Sequence, residues 1–145
     1  MIAHRSCSTN APGLRDPIYS TCVPPSRYQS VHYHRPGAHR TDKSEWKISR
    51  DDECHTFCEA TDRGWADGDG NRWYVDAEAR ELGTRGERVA TYPNPNSGST
   101  WHGFPISGVS GAVARRRVPA QVLRTWEHEQ ATTRGLLMKL WKRTV

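Results

Sequence analysis

Apolar residues are unevenly spread along this chain, and their spacing divides it into four stretches. Over residues 1–44 they recur with no period of 2 or 3.6, and five of the nine prolines (Pro12, Pro17, Pro24, Pro25 and Pro36) fall there. A segment without a face to bury is expected to remain a poorly ordered, flexible arm, with one short extended piece around Val31 and Tyr33. From Ser44 the texture changes. Ser49 is suited to an N-cap, Asp51, Asp52 and Glu53 fill a first turn where the helix dipole favours carboxylates, and Cys54, Phe57 and Cys58 share a face at i, i+3 and i+4. With Gly64 as a stop signal, the spacing predicts a helix over about residues 50–61, entered by packing of Trp46 and Ile48.

The third stretch, residues 64–105, reads as a β unit. Trp65 and the Arg72–Asp76 segment flank an Asp-Gly-Asp-Gly-Asn run rich in the positive-φ residues a tight reversal demands, which predicts a hairpin. Trp73 and Val75 would then face one way and Tyr74 and Asp76 the other. Residues 77–82 read as a loop, and Glu87–Tyr92 as a third strand ended by Pro93 and Pro95. Residues 93–112, with four glycines, read as one long loop. In the last stretch, Pro119 opens a helix striped by Val122, Leu123 and Trp126. A second helix carries Leu136, Leu137, Leu140 and Trp141 on one face, and the two make an αα-hairpin over about residues 119–143. The fold class is therefore α+β: a short antiparallel β-sheet with one preceding helix and a C-terminal αα-hairpin, forming a single domain over residues 45–145.

Charge adds a direction to this picture. Residues 1–60 carry eight Lys/Arg against seven Asp/Glu, residues 61–110 five against seven, and residues 111–145 eight against two, so the net +5 is a C-terminal property. A basic surface of this kind suits nucleic acid or an acidic protein partner. Mean hydropathy is −0.85, and no run approaches the length of about 20 apolar residues that spans a bilayer, so no membrane partner is expected. The opening MIAHRSCSTNAPG lacks the apolar core of a signal peptide, which points to a cytoplasmic protein. In that compartment Cys7, Cys22, Cys54 and Cys58 are expected to be reduced thiols.

Four motifs could carry chemistry. Asp67, Asp69, Asn71 and Glu78 fall at positions 1, 3, 5 and 12 of an EF-hand loop, but Arg72 stands where that loop needs glycine, so a hairpin turn is the better reading. Gly64-Trp65, the turn, and Trp73-Tyr74 with a trailing glycine resemble one copy of the choline-binding repeat of bacterial cell-wall proteins. Such repeats build their sites between stacked copies, so a single copy implies no choline site. Cys54-His55-x-x-Cys58 with His32, His34 and His39 has the residue types of a zinc site, yet two cysteines one helical turn apart also describe small buried hydrophobes, and no metal or other cofactor is expected. The fourth is His102, in Trp-His-Gly-Phe-Pro, an imidazole on an aromatic-edged loop.

These motifs lead to three expectations. The first is a non-enzymatic binding protein whose C-terminal region contacts nucleic acid or an acidic protein through Arg115, Arg116, Arg117, Arg124, Arg134, Lys139, Lys142 and Arg143. The second is a small hydrolase, most naturally a ribonuclease, with His102 as general acid/base, Tyr92 beside it, and Arg88 or Arg115 as the phosphate cation; its size and charge are similar to those of small bacterial ribonuclease toxins. The third is an immunity or adaptor protein bound to another protein. The Trp- and Leu-rich terminal helix also suits a homodimer. Because that helix spends Leu136, Leu137, Met138, Leu140 and Trp141 on apolar contact, it is not expected to read base edges.

Overall fold

The computed structural model describes residues 7–9, 13–22, 25–37, 43–107 and 117–144, with the backbone alone for 143 and 144. In chain order the elements are β1 (Ile18–Ser20), β2 (Arg27–Gln29), a single 3-10 turn (His32–His34), α1 (Arg50–Asp62), β3 (Arg72–Val75), β4 (Val89–Tyr92), β5 (Thr100–Trp101), β6 (Phe104–Ile106), α2 (Ala120–Glu129) and α3 (Arg134–Thr144). Two small sheets result. In one, β1 pairs antiparallel with β2, and β2 runs parallel to β5; in the other, β3, β4 and β6 are antiparallel in that order. The fold is α+β, with helix positions close to those expected.

Local chemistry explains the elements. The Ser49 hydroxyl accepts from the Asp52 N–H at 3.1 Å and caps α1. The turn before β3 is built on Asp67. Its carboxylate accepts from the N–H groups of Asp69 (2.9 Å) and Asn71 (3.1 Å), from Asn71 Nδ2 (3.0 Å) and from the Trp73 indole (3.0 Å). Burial alone would raise the Asp67 pKa, but these bonds, led by those from Trp73 and Asn71, hold it below the usual value. Both carboxylate oxygens are spent on hydrogen bonds within the turn. Between α2 and α3, Gln130 takes the left-handed conformation (φ 55°) and Thr133 accepts from the Leu136 N–H at 3.3 Å, ending one helix and starting the next.

Three features differ from expectation. Part of the arm enters the core: Tyr28 is fully buried and Tyr19 nearly so, and they face each other across β1 and β2. Strands of three residues are too short for a period of 2 to register, which is why the pattern missed them. The stretch 93–112 is not one loop, because β5 and β6 lie within it. Pro105 masked β6; proline is tolerated because β6 is an edge strand. Finally, Trp73, Tyr74 and Val75 are all buried, as is every residue of β4. The expected alternation fails because both faces of this sheet are covered.

The core is one cluster. On its α1 side Phe57 packs against Tyr28, Tyr92 and Trp101 with ring centroids 5.3–5.7 Å apart. Trp65 meets Trp126 of α2 edge-on at 5.8 Å, and the Thr132 hydroxyl donates to the Asp76 carbonyl at 2.7 Å, so the helical hairpin is tied to the β unit at two places. At the centre lies a charge. Glu53, 1% exposed, accepts from Tyr28 Oη (2.8 Å), Ser30 Oγ (2.8 Å) and Arg35 Nη1 (2.7 Å). Burial pushes its carboxyl up to about 7, against the pull of Tyr28, Arg35 and Ser30.

A pH test follows. Because the folded value lies above the unfolded one, the stability Glu53 contributes is full below about 4.5 and is lost as pH rises through about 7. Arg35→Met should cost about 3–5 kcal/mol in urea unfolding at pH 8, where the carboxylate would be buried unpaired, and clearly less at pH 5. Equal losses at both pH values would mean that Glu53 stays ionised throughout.

Candidate anionic-partner interface

The sequence places cations on α3 at intervals that the helix converts into a surface. Arg134, Met138 and Lys142 follow one another at i, i+4 and i+8, with Lys139 beside them, and all four are exposed. The opposite face buries Leu136, Leu137 and Leu140. Met138, 53% exposed, is the large apolar side chain left outside on this helix. The Leu-rich face expected to suit a homodimer is therefore occupied by the protein's own core.

Beside the start of α3 is a pocket of about 340 Å³ lined by Ala79, Gly86, Arg88, Ser107, Thr133, Gly135, Leu136 and Lys139. Lys139 and Arg88 bring positive charge to it, and Ser107 and Thr133 bring hydroxyls. Arg88 is anchored: its guanidinium donates to the Ala79 carbonyl and lies 3.6 Å from Glu81, which Lys47 also holds at 2.9 Å. Sequence reasoning assigned Arg88 to a different site and did not single out Thr133 or Ser107. A capping Thr three residues ahead of a buried Leu was the available signal for Thr133.

The remaining basic residues of the expected interface are described only in part. Arg124 is exposed on α2, three residues from Glu127. Arg117 is partly buried, and its Nε has no hydrogen-bond partner among the described residues. Arg115 and Arg116 lie outside the described residues, and of Arg143 only the backbone is described.

The three residues of the hydrolase expectation are not gathered. Tyr92 is fully buried, its hydroxyl shares a hydrogen bond with Thr56, and burial pushes its phenol well above the usual value. The β4–β6 register sets Val89 opposite Ile106 and Thr91 opposite Phe104. Arg88 just precedes β4 and Tyr92 ends it, so the two are about 13 Å apart by strand rise. His102 sits at the Tyr92 end, in the two-residue link between β5 and β6. The link is clamped: Trp46 Nε1 donates to the Gly103 carbonyl at 3.1 Å, and a Cβ on Gly103 would collide with the Tyr92 ring. Burial, then the charge of Lys43, lowers the His102 pKa below the ordinary histidine value.

The cysteines and other histidines depart from expectation too. Cys7 is joined to Cys54 in a disulfide, so the expectation of four reduced thiols is corrected; only Cys22 and Cys58 carry thiols. Nothing in the spacing announces a bond across 47 residues. His32 pairs with Asp16 at 3.1 Å and His34 Nδ1 bonds the Ser44 carbonyl oxygen at 2.7 Å, while His39 lies outside the described residues. Among the described residues, the atoms close enough to share an ion are the sulfurs of Cys7, Cys54 and Cys58, with no histidine.

No family model, curated protein or solved structure matches the chain.

In an NMR titration, the His102 ring should show a midpoint below 6.5, and Lys43→Ala should raise it without restoring 6.5, because burial is the larger cause. A wild-type midpoint at or above 6.5 would mean that the ring is solvated.

Proposed function

We propose that the protein binds a polyanion, nucleic acid before an acidic protein, through the exposed face of α3 and the pocket beside it. One observation carries this reading. Among the described residues, Arg134, Lys139 and Lys142 stand together on one exposed face of a single helix, and no carboxylate lies within ion-pair distance of any of them. Cations without carboxylate partners keep their potential at the surface, and that potential draws phosphates and displaces their counterions. From Arg134 to Lys142 the face extends about 12 Å along the helix. Its contacts are to the backbone and not to base edges, since half of α3 is committed to burial, so binding is independent of sequence. The ribonuclease reading has less support, with Tyr92 enclosed and Arg88 at the far end of β4.

The test is fluorescence anisotropy with labelled single-stranded RNA and duplex DNA over a salt series, each probe being checked on a gel afterwards. Affinity should fall log-linearly with salt and the probes should stay intact. Replacing Arg134, Lys139 and Lys142 together by Ala should weaken binding by about 100-fold at low salt and flatten the duplex slope by between about 2 and 3. A shortened RNA probe would move the function to the ribonuclease reading and His102. Absence of binding at low salt would remove nucleic acid and direct the search to a co-purifying protein.

A further inference from the structure

All four cysteines converge on the buried side of α1, although they are spread over 52 residues of the chain, from Cys7 to Cys58. On the helix, Cys54 and Cys58 are one turn apart, about 6 Å along the axis. On the other side, the antiparallel bridge between Ser8 and Ser20 sets Cys7 across from Thr21 and beside Cys22. Two neighbouring cysteines of the N-terminal segment therefore face two neighbouring cysteines of the helix. The first pair is already closed, with 6.1 Å between the Cα atoms of Cys7 and Cys54, inside the span a disulfide bridges. The second pair is in contact: the Cys22 N–H donates to Cys58 Sγ at 3.3 Å. Cys58 Sγ also lies 3.6 Å from Cys7 Sγ, and Cys22 Sγ is 3.9 Å from the Asp62 carboxylate in the last turn of α1.

We infer that Cys22 and Cys58 form a second disulfide, so that the N-terminal segment is fastened to two successive turns of α1. The reaction is ordinary exchange with an external disulfide, such as oxidised glutathione. The Cys22 thiolate, on the more accessible residue, attacks one sulfur of that reagent; a Cys22 mixed disulfide forms and the first thiolate leaves. Cys58, as thiolate, then attacks the Cys22 sulfur, and the second thiolate leaves. Two protons are lost from the protein and two electrons pass to the reagent. Burial, reinforced by the neighbouring Cys22, pushes the Cys58 thiol up to about 12, so the second step belongs to folding, before the sulfur is enclosed. With both pairs closed, no thiol remains for a metal or a nucleophile. The protein then belongs in an oxidising compartment, not in the reducing one expected from its opening residues.

The experiment uses the full chain. It is refolded in a glutathione redox buffer, alkylated in denaturant without reductant, digested with trypsin and chymotrypsin, and mapped by mass spectrometry. Cleavage after Phe57 separates Cys54 from Cys58, so the pairings are distinguishable. The expected result is no alkylated cysteine and the pairs Cys7–Cys54 and Cys22–Cys58. Alkylation of both Cys22 and Cys58 in protein that has closed Cys7–Cys54 overturns the inference, as does any other pairing. Stoichiometric zinc retained through the oxidising refold, with four thiols appearing on its removal, overturns it too. As a second readout, Cys22→Ser should lower the thermal midpoint by about 10 °C under non-reducing conditions and leave it unchanged in reductant. The pairing is read on the unmutated chain and does not depend on the variant folding.

Discussion

A single buried carboxylate organises the first half of this molecule. Glu53 accepts from Tyr28 on β2, from Ser30 just after it, and from Arg35 beyond the 3-10 turn, and so gathers three points of the N-terminal segment onto α1. Arg35 also donates to the Ile48 carbonyl at 2.8 Å, which fixes the approach to the helix. An enclosed carboxylate is costly unless its lone pairs are filled. The segment is therefore held in the one arrangement that fills them. The aromatic packing of Tyr28 on Phe57 and Tyr92 follows from that placement.

How much of this was legible depended on whether the signal was local. The α1 cap, its acidic first turn and its stop are all written within sixteen residues, and the expected helix over 50–61 became Arg50–Asp62. The helical hairpin was equally plain, because apolar stripes and a turn are short-range features. The strands were less so. β1, β2, β5 and β6 have two or three residues each, and the pairing of β2 with β5 spans most of the chain between them, as with Tyr28 opposite Trp101. Glu53 read as one more helix-start acid, since nothing near it in sequence names Tyr28, Ser30 or Arg35 as its donors.

The candidate site divides in the same way. The basic character of the C-terminal region was evident from composition, and its three exposed α3 cations from helical spacing. Which carboxylates neutralise which cations was not, because ion pairs such as Lys47–Glu81 and Arg35–Glu53 join distant segments. Arg88 illustrates the limit. By sequence it belonged with Tyr92, four residues on, but a strand holds its residues apart, and Arg88 lies instead beside α3.

The strand containing Pro105 has a consequence for how copies of this protein meet. An open sheet edge is a template on which another chain can add a strand, and through repetition a fibril. Among the described residues β6 closes one side of its sheet, and its outer edge is a poor template. Its central residue has no N–H to donate, and the carbonyl of Gly103 just before it is taken by the Trp46 indole. This sheet therefore resists edge-to-edge aggregation on that side, despite being apolar on both faces.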